Sequence, residues 1–250
     1  MKIVYSQTPE ELGEKAAKQT ATLLRQYIKQ NNSARLLLST GVSQLSTLRA
    51  LLEEDVDWKH VEIFHLDEYI DLPSTHPASF VKYLHDRFIS KIQPKAVYYV
   101  DTSKDVDELI SNLTLEIRRR PIDVGLIGIG ENAHIAFNDP PADFDTDEAF
   151  IVVTLAESCR QQQLGEGWFP SITNVPVKAV TITVKQILKC RHIISAVPFK
   201  VKAKAISDTL TEPEINPMIP STALRNHHDV TIYLDNESAS MIDSAILQQS

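Results

Sequence analysis

Residues 122–140, IDVGLIGIGENAHIAFNDP, decide the fold of this chain. The stretch begins with an apolar run in which Val124, Leu126 and Ile127 alternate little with polar residues. Such a run is typical of a parallel strand that is covered on both faces. The run ends at a Gly-x-Gly turn, and a cluster of polar residues follows it: Glu131, Asn132, His134, Asn138 and Asp139. An open α/β sheet binds its ligand at such a strand end.

The glycines and the histidine each allow a second interpretation. Gly128 and Gly130 do not form the dinucleotide-binding fingerprint, because that motif needs a third glycine at fixed spacing. His134 by itself would more often be a packed, hydrogen-bonded histidine than a catalyst. The amide and carboxylate residues around it favour a functional role, because they can fix the tautomer of an imidazole and tune its pKa.

Strand and helix patterns alternate along the whole chain. Helical periodicity predicts helices over residues 9–30, 44–54, 78–91, 105–119 and 200–210, with a short helix in the C-terminal tail. Apolar runs predict strands over residues 36–38, 61–66, 97–100, 124–127, 151–153, 180–184, 192–197 and 229–234. This alternation predicts an α/β fold with three layers: an open, mostly parallel, Rossmann-like sheet with helices on both faces. Without repeats or linker-like segments, residues 1–250 are predicted to form one domain.

Polar loops follow three of the predicted strands. The first loop, after Leu38, reads Ser39, Thr40, Gly41, Val42, Ser43 and leads into a helix. A strand, a hydroxyl-rich loop and a helix N-terminus can cradle a phosphate, because loop amides and hydroxyls converge on one point. Ser43 or Thr40 acting as a simple helix N-cap explains the same residues equally well.

The second polar loop begins with two adjacent acids, Asp67 and Glu68, directly after the strand over 61–66. Carboxylates at a buried strand end are costly to desolvate unless they are paired or functional. The carboxyl ends of parallel strands line one crevice. We therefore expect the hydroxyl loop, the acid pair and the loop of His134 to be neighbours.

Composition excludes several classes of function. The net charge of −8 and the pI near 5.5 leave no basic surface for nucleic acid. No apolar run approaches membrane-spanning length. Cys159 and Cys190 lack metal-ligand spacing, so no metal site is predicted and both thiols are expected to be unreactive. These features predict a soluble protein of the reducing cytoplasm.

Several motifs of the chain resemble the glucosamine-6-phosphate deaminase/isomerase family. They are LSTGVS at 38–43, FHLDEYIDLP at 64–73 followed by His76-Pro77, GIGENAHIAFNDP at 128–140, Val175-Pro176 and KAKA at 202–205. They occur in the order and at the spacing of the family, over nearly the whole chain. The resemblance implies conversion of an amino-hexose 6-phosphate, with glucosamine 6-phosphate the leading candidate, to a ketose 6-phosphate and ammonia. It also implies that no metal or organic cofactor takes part.

The resemblance also implies roles for individual residues. Asp67 matches the general base that moves a proton between C2 and C1 of the opened sugar, and a carboxylate suits that step. His134 matches the group that promotes ring opening, with Asn132 and Asp139 beside it. The predicted binding residues, most of them for the 6-phosphate, are Ser39, Thr40, Gly41, Val42, Ser43, Glu68, Ala136, Arg160 and Lys202.

The sequence departs from the family pattern around the histidine. Asn132 stands where deaminases of the family usually carry Asp, Ala133 where they carry Gly, and Asp139 where they carry Glu. Val42 likewise replaces a Gly. An arginine is missing upstream of Val175-Pro176, and Arg160 is a candidate to replace it.

These departures leave other functions open. Asn132 and the glutamine-rich run after Arg160 resemble the galactosamine-6-phosphate branch of the superfamily. A 6-phosphogluconolactonase shares a similar glycine–histidine loop, although lactone hydrolysis needs no carbon–proton base such as Asp67. A sugar-phosphate sensor that binds without turnover is the third alternative. The oligomeric state is also open, and a homo-oligomer is one option.

Overall fold

The structure, a computed structural model, describes residues 1–243. Its strands are β1 (Lys2–Tyr5), β2 (Ala34–Leu38), β3 (Val61–His65), β4 (Asp67–Tyr69), β5 (Ala96–Tyr98), β6 (Val124–Leu126), β7 (Phe150–Thr154), β8 (Lys178–Ile182), β9 (His192–Val197) and β10 (Val230–Leu234). Its α-helices are α1 (Pro9–Asn31), α2 (Leu45–Leu52), α3 (Phe80–Arg87), α4 (Val106–Arg118), α5 (Glu157–Gly165), α6 (Val184–Ile187) and α7 (Ala203–Thr211).

Seven strands form the central sheet, in the order β1-β10-β9-β6-β2-β3-β5. All six pairings between these strands are parallel. Every residue of β2, β3, β6 and β10 is buried, as expected for strands with helices on both sides. The predicted open parallel sheet is therefore confirmed.

The winding direction of this sheet reverses between β2 and β6. From β2 the chain adds β3 and then β5 on one side, whereas from β6 it adds β9 and then β10 on the other. The connections after β2 and β6 therefore diverge and leave a crevice at the carboxyl ends of the strands. The expectation that the three polar loops are neighbours is confirmed, because β3, β2 and β6 are adjacent.

Helices cover the central sheet on both faces and complete three layers. Buried apolar residues of α1, α2 and α3 pack on one face. Buried residues of α4, α6 and α7 pack on the other. Local sequence sets the ends of α1: the Thr8 hydroxyl accepts a hydrogen bond from the Glu11 amide, and Asn32 closes the helix with φ of 54°.

A second, smaller sheet was not predicted. Strands β4, β8 and β7 pair antiparallel, and this sheet carries Asp67 and Glu68 within β4 rather than in a loop. The predicted strand over 180–184 is wrong at its end, because β8 stops at Ile182 and Val184 begins α6. Thr183 causes the change, since its side chain accepts a hydrogen bond from the Gln186 amide and caps the helix.

The amino ends of the central strands carry a buried ion cluster. The Arg35 side chain on β2 is fully buried and lies 3.2 Å from the Glu62 carboxylate of β3. Its guanidinium also donates to the carbonyls of Glu116 and Ile117 in the last turn of α4. The amino ends of these strands are therefore occupied by charged groups that stabilise the fold, and the open crevice lies at their carboxyl ends.

Some predictions are not tested by the fold. The tail helix falls on residues 244–250, outside the described residues. A single domain over 1–250 stays a prediction. Among the helices of residues 1–243, none combines the length and apolar character needed to cross a membrane.

Candidate active site

A cavity of about 460 Å³ opens at the carboxyl ends of β2, β3, β6 and β9. It is lined by Ser39, Thr40, Gly41, Val42, Ser43, Leu66, Asp67, Phe80, Gly128, Ile129, Gly130, Glu131, His134, Ala136, Phe137, Gln162, Gln163, Glu166, Phe199, Val201 and Lys202. Thr40, Asp67, His134 and Lys202 thus share one cavity, as the resemblance predicts. Its size fits a small-molecule ligand.

The hydroxyl loop after β2 is held in place by its neighbours. Gly41 has φ of 97°, a conformation that favours glycine, and its carbonyl accepts a hydrogen bond of 2.7 Å from the Tyr83 hydroxyl. The side-chain amide of Gln44 donates to the Ala196 carbonyl on β9. The Ser39 hydroxyl is buried without a hydrogen-bond partner within the described part of the chain.

The N-cap interpretation of this loop is wrong. Neither the short 3₁₀ turn over Val42–Gln44 nor α2 has a side-chain cap, and Gly41 and Gln44 stand at the two cap positions. The hydroxyls of Thr40 and Ser43 are therefore not used to cap the helix, and both residues line the cavity.

Lys202 supplies a cation to the cavity. Its side chain is buried, and burial lowers the pKa of its ammonium group, while Glu131 and Glu166 oppose that shift. The preceding turn depends on Phe199, whose φ is 82° and whose amide donates to the buried Asp235 carboxylate at 3.1 Å. An anionic ligand beside Lys202 would stabilise the charged form.

The carboxyl group of Asp67 is buried against the floor of the cavity. Burial, and after it the neighbouring Glu68, raise its pKa to about 8, although a hydrogen bond from the Phe137 amide opposes the rise. A pKa near neutrality suits a general acid or base, because the group can both take up and release a proton.

Glu68 does not line the cavity, although the sequence places it among the binding residues. Successive residues of a strand point to opposite faces, so Asp67 and Glu68 diverge within β4. The Glu68 carboxylate accepts hydrogen bonds from the Ser79 hydroxyl and the Val81 amide, at 2.7 and 2.9 Å. It thus anchors the start of α3.

His134 is oriented by an amide and a carboxylate that lie behind it. Its Nδ1 atom is 2.6 Å from Asn132 Oδ1 and 3.3 Å from Asp139 Oδ1. Asn132 also donates to Asp139, whose other oxygen accepts from the Ala156 amide. Burial would raise the pKa of Asp139, but the bonds to His134 and Asn132 hold it below its ordinary value. Asn132 and Asp139 therefore act on His134 and do not line the cavity.

The turn that presents His134 has an unusual backbone. Ala133 and Ala136 have φ of 66° and 49°, in the left-handed region that disfavours residues with a Cβ atom. Glycine, which the family pattern usually has at the position of Ala133, adopts this conformation without strain. Ala136 lines the cavity as predicted.

Arg160 does not reach the cavity, contrary to the prediction that it binds substrate. Its guanidinium donates to the carbonyls of Ile172 and Val175, at 2.7 and 3.1 Å, and to Glu157. Arg160 therefore fastens α5 to the segment that follows it, and of the two cations predicted to bind substrate only Lys202 lines the cavity.

Helix α5 brings residues to the cavity that the predicted set does not include. Gln162, Gln163 and Glu166 line it, and Gln162 Oε1 accepts a hydrogen bond from the Glu131 amide at 3.1 Å. Gln163 accepts one from the Tyr69 hydroxyl at 2.7 Å. The glutamine-rich run after Arg160 could have indicated these residues. The sequence analysis, however, assigned the run to a connection between strands and not to a helix that covers the site.

Within residues 1–243, one cluster of side chains could hold a metal ion. His134, Asp139 and Cys159 each offer a ligand atom, and these atoms all lie within 4.8 Å of one another. Cys159 is a free, buried cysteine on α5.

Comparison with known proteins assigns this chain to a family. A family profile described as glucosamine-6-phosphate isomerases/6-phosphogluconolactonase matches residues 7–233. A protein named glucosamine-6-phosphate deaminase 1 from Bacillus subtilis (strain 168) is 36% identical, over 96% of this chain and 99% of its own. A glucosamine-6-phosphate deaminase from Thermoanaerobacter sp. (strain X514) is 33% identical, over 100% of this chain and 98% of its own.

Solved structures give the same result. A protein described as a monomeric glucosamine-6-phosphate deaminase superposes with a TM-score of 0.88 at 34% identity, over 96% of this chain and 100% of its own. A 6-phosphogluconolactonase from Thermotoga maritima superposes with a TM-score of 0.76 at 18% identity, over 94% and 99% of the two chains, which shows a shared fold. Whether this chain forms a homo-oligomer stays a prediction.

Proposed function

We propose, from the premise that this chain belongs to the family of glucosamine-6-phosphate isomerases and 6-phosphogluconolactonases, that it converts glucosamine 6-phosphate and water to fructose 6-phosphate and ammonia. The observation that carries the proposal is the buried carboxyl group of Asp67, with a pKa near 8, in one cavity with His134 and Lys202. A base for a carbon-bound proton is what separates this chemistry from lactone hydrolysis.

The phosphate group would bind at the end of the cavity formed by the hydroxyl loop and Lys202. The loop offers backbone amides together with the hydroxyls of Ser39, Thr40 and Ser43, and Lys202 offers an ammonium group. Charge-assisted hydrogen bonds of this kind suit a dianion. The phosphate in turn stabilises the charged form of the buried lysine.

His134 would open the sugar ring by proton transfer. Its Nδ1 atom faces Asn132 and Asp139, and the ring lines the cavity, so Nε2 is the nitrogen available to the substrate. Ring opening moves a proton from the anomeric hydroxyl to the ring oxygen, and an imidazole can carry that proton.

Asp67 would then move a proton from C2 to C1 of the open aldose. Removal of the C2 proton gives an enolamine, and protonation at C1 gives the imine of the ketose. Water hydrolyses that imine and releases ammonia. Asp67 must be ionised to start this sequence, and its neutral form completes it, which agrees with a pKa near neutrality.

The test is an ammonia-release assay with glucosamine 6-phosphate, coupled to detection of fructose 6-phosphate. We expect turnover by the wild type and none by Asp67→Asn. Binding of the sugar phosphate without any product would instead support the sensor alternative. Hydrolysis of 6-phosphogluconolactone, with no ammonia from amino sugars, would support the lactonase alternative.

Galactosamine 6-phosphate is the second candidate substrate, because glutamines line the cavity as that branch of the superfamily suggests. Gln162 and Gln163 are amides that can donate to a sugar hydroxyl as well as accept from one. Parallel assays with the two epimers, compared by kcat/KM, decide between them.

A further inference from the structure

Two side chains, from Asp139 and Cys159, lie next to the imidazole of His134 and form a cluster with it. His134 belongs to the turn after β6, Asp139 follows it, and Cys159 comes from α5, twenty residues further along the chain. One ligand atom from each lies within 4.8 Å of the other two, and His134 Nδ1 and Asp139 Oδ1 are 3.3 Å apart. Only the packing of α5 produces this cluster.

The ligand atoms match the preferences of zinc. Zinc binds imidazole nitrogen, carboxylate oxygen and thiolate sulfur, with bonds of about 2.0–2.3 Å, usually with four ligands in a tetrahedron. Two anionic ligands, Asp139 and a deprotonated Cys159, balance the charge of a divalent ion. Asn132 Oδ1, 2.6 Å from His134 Nδ1, or a water molecule would supply the fourth ligand.

We propose that His134, Asp139 and Cys159 form a zinc-binding site whose occupation inhibits the enzyme. Binding releases the thiol proton of Cys159 to solvent. The hydrogen of His134 Nδ1, which faces the oxygens of Asn132 and Asp139, moves to Nε2, and the freed Nδ1 lone pair binds the metal. A metal-bound imidazole retains a hydrogen on Nε2 and can no longer exchange a proton there. Zinc therefore acts against the proposed reaction and is not a cofactor of it.

The cluster lies next to an exposed hydrogen bond. Asn132 donates to the Ser158 hydroxyl at 3.3 Å, and this hydrogen bond is exposed. Asn132 also donates to Asp139, so one side chain connects the cluster to the exposed Ser158 hydroxyl.

Metal titration tests the site directly. Protein freed of metal by a chelator is titrated with Co²⁺, whose bond to a thiolate gives a charge-transfer band, and then with Zn²⁺ against a coloured chelator. We expect one ion per chain, a thiolate band, and inhibition of ammonia release that the chelator reverses. Cys159→Ser should remove the band and weaken zinc binding at least about tenfold.

The matched control is Cys190→Ser, which removes the other buried thiol; Cys190 packs against Gly125 of β6 and does not line the cavity. This variant should keep the wild-type band and zinc affinity. Asp139→Asn is the second test variant should Cys159→Ser fold poorly, as judged by circular dichroism. Zinc affinity of Cys159→Ser equal to that of Cys190→Ser, or no thiolate band in the wild type, overturns the proposal. The band and the zinc affinity are measured without substrate, so neither result bears on the proposed function, whereas the inhibition rests on it.

Discussion

The imidazole ring of His134 packs directly against the backbone of Gly130. A Cβ atom at position 130 would lie 2.3 Å from the ring, closer than real Cβ contacts allow. The position of the histidine ring therefore requires glycine at residue 130. The two residues are the ends of one turn, which is closed by a hydrogen bond of 2.8 Å from the Gly130 amide to the His134 carbonyl.

Gly130→Ala should displace His134 and lower kcat by roughly 100-fold, since an error of about 1 Å in the placement of a catalytic group can cost that much. Ammonia release measures the effect. Gly165→Ala is the matched control, because a Cβ atom there meets nothing within 4 Å. A Gly130→Ala enzyme as active as the control would contradict the assignment of His134.

The rate should depend on the ionisation of Asp67. A base must lose its proton to act, so kcat/KM should rise with pH up to about 8, where Asp67 titrates. Glu68→Gln removes the neighbouring like charge and should move this acid limb to lower pH by roughly half a unit. The measurement is the pH–rate profile of the wild type and of Glu68→Gln. An acid limb at the same pH in both proteins would show that the observed titration is not that of Asp67.

Asp67→Asn should gain stability while it loses activity. The folded protein keeps Asp67 protonated up to about pH 8, whereas the unfolded chain loses that proton near 3.8, so the stability of the wild type falls as pH rises between these values. Asparagine does not titrate. Urea unfolding should show that the variant exceeds the wild type by about 1–3 kcal/mol at pH 8, with a smaller difference at pH 5. The reverse order would be inconsistent with a raised pKa.

Lys202→Ala should raise KM much more than it lowers kcat. Loss of one charge-assisted hydrogen bond to the phosphate costs about 1.5–3 kcal/mol, or roughly 10- to 150-fold in binding. Inhibition by inorganic phosphate should weaken in parallel. Lys200→Ala serves as the control, because Lys200 is exposed and does not line the cavity. A normal KM in the Lys202 variant would place the phosphate elsewhere.

Ala133→Gly should stabilise the protein. The left-handed conformation costs alanine about 1–2 kcal/mol, and the greater freedom of glycine in the unfolded chain offsets part of the gain. The net increase in the free energy of unfolding should be about 0.5–1 kcal/mol by thermal or urea denaturation. The same substitution at Ala142, a buried loop alanine without positive φ, should destabilise instead. Destabilisation at both positions would argue against strain at Ala133.

Sequence was sufficient for the features that depend on neighbouring residues. The apolar run of β6, the glycine turn after it and the cap of α1 by Thr8 follow from side chains a few positions apart. Because the carboxyl ends of parallel strands lie on the same side of the sheet, the loops after β2, β3 and β6 could also be assigned to one crevice. Asp67, His134 and the hydroxyl loop were accessible to this reasoning.

The rest depended on contacts between residues far apart in the chain. Pairing of β4 with β8, across more than a hundred residues, turns Asp67 into the cavity and Glu68 away from it. Packing of α5 brings Gln162 over the site and Cys159 behind His134, and turns Arg160 away. No local pattern encodes these choices, because strand partners and helix positions are selected by how the whole core packs. The sequence by itself thus determined the kinds of groups at the site, and the tertiary structure alone decided which of them face the substrate.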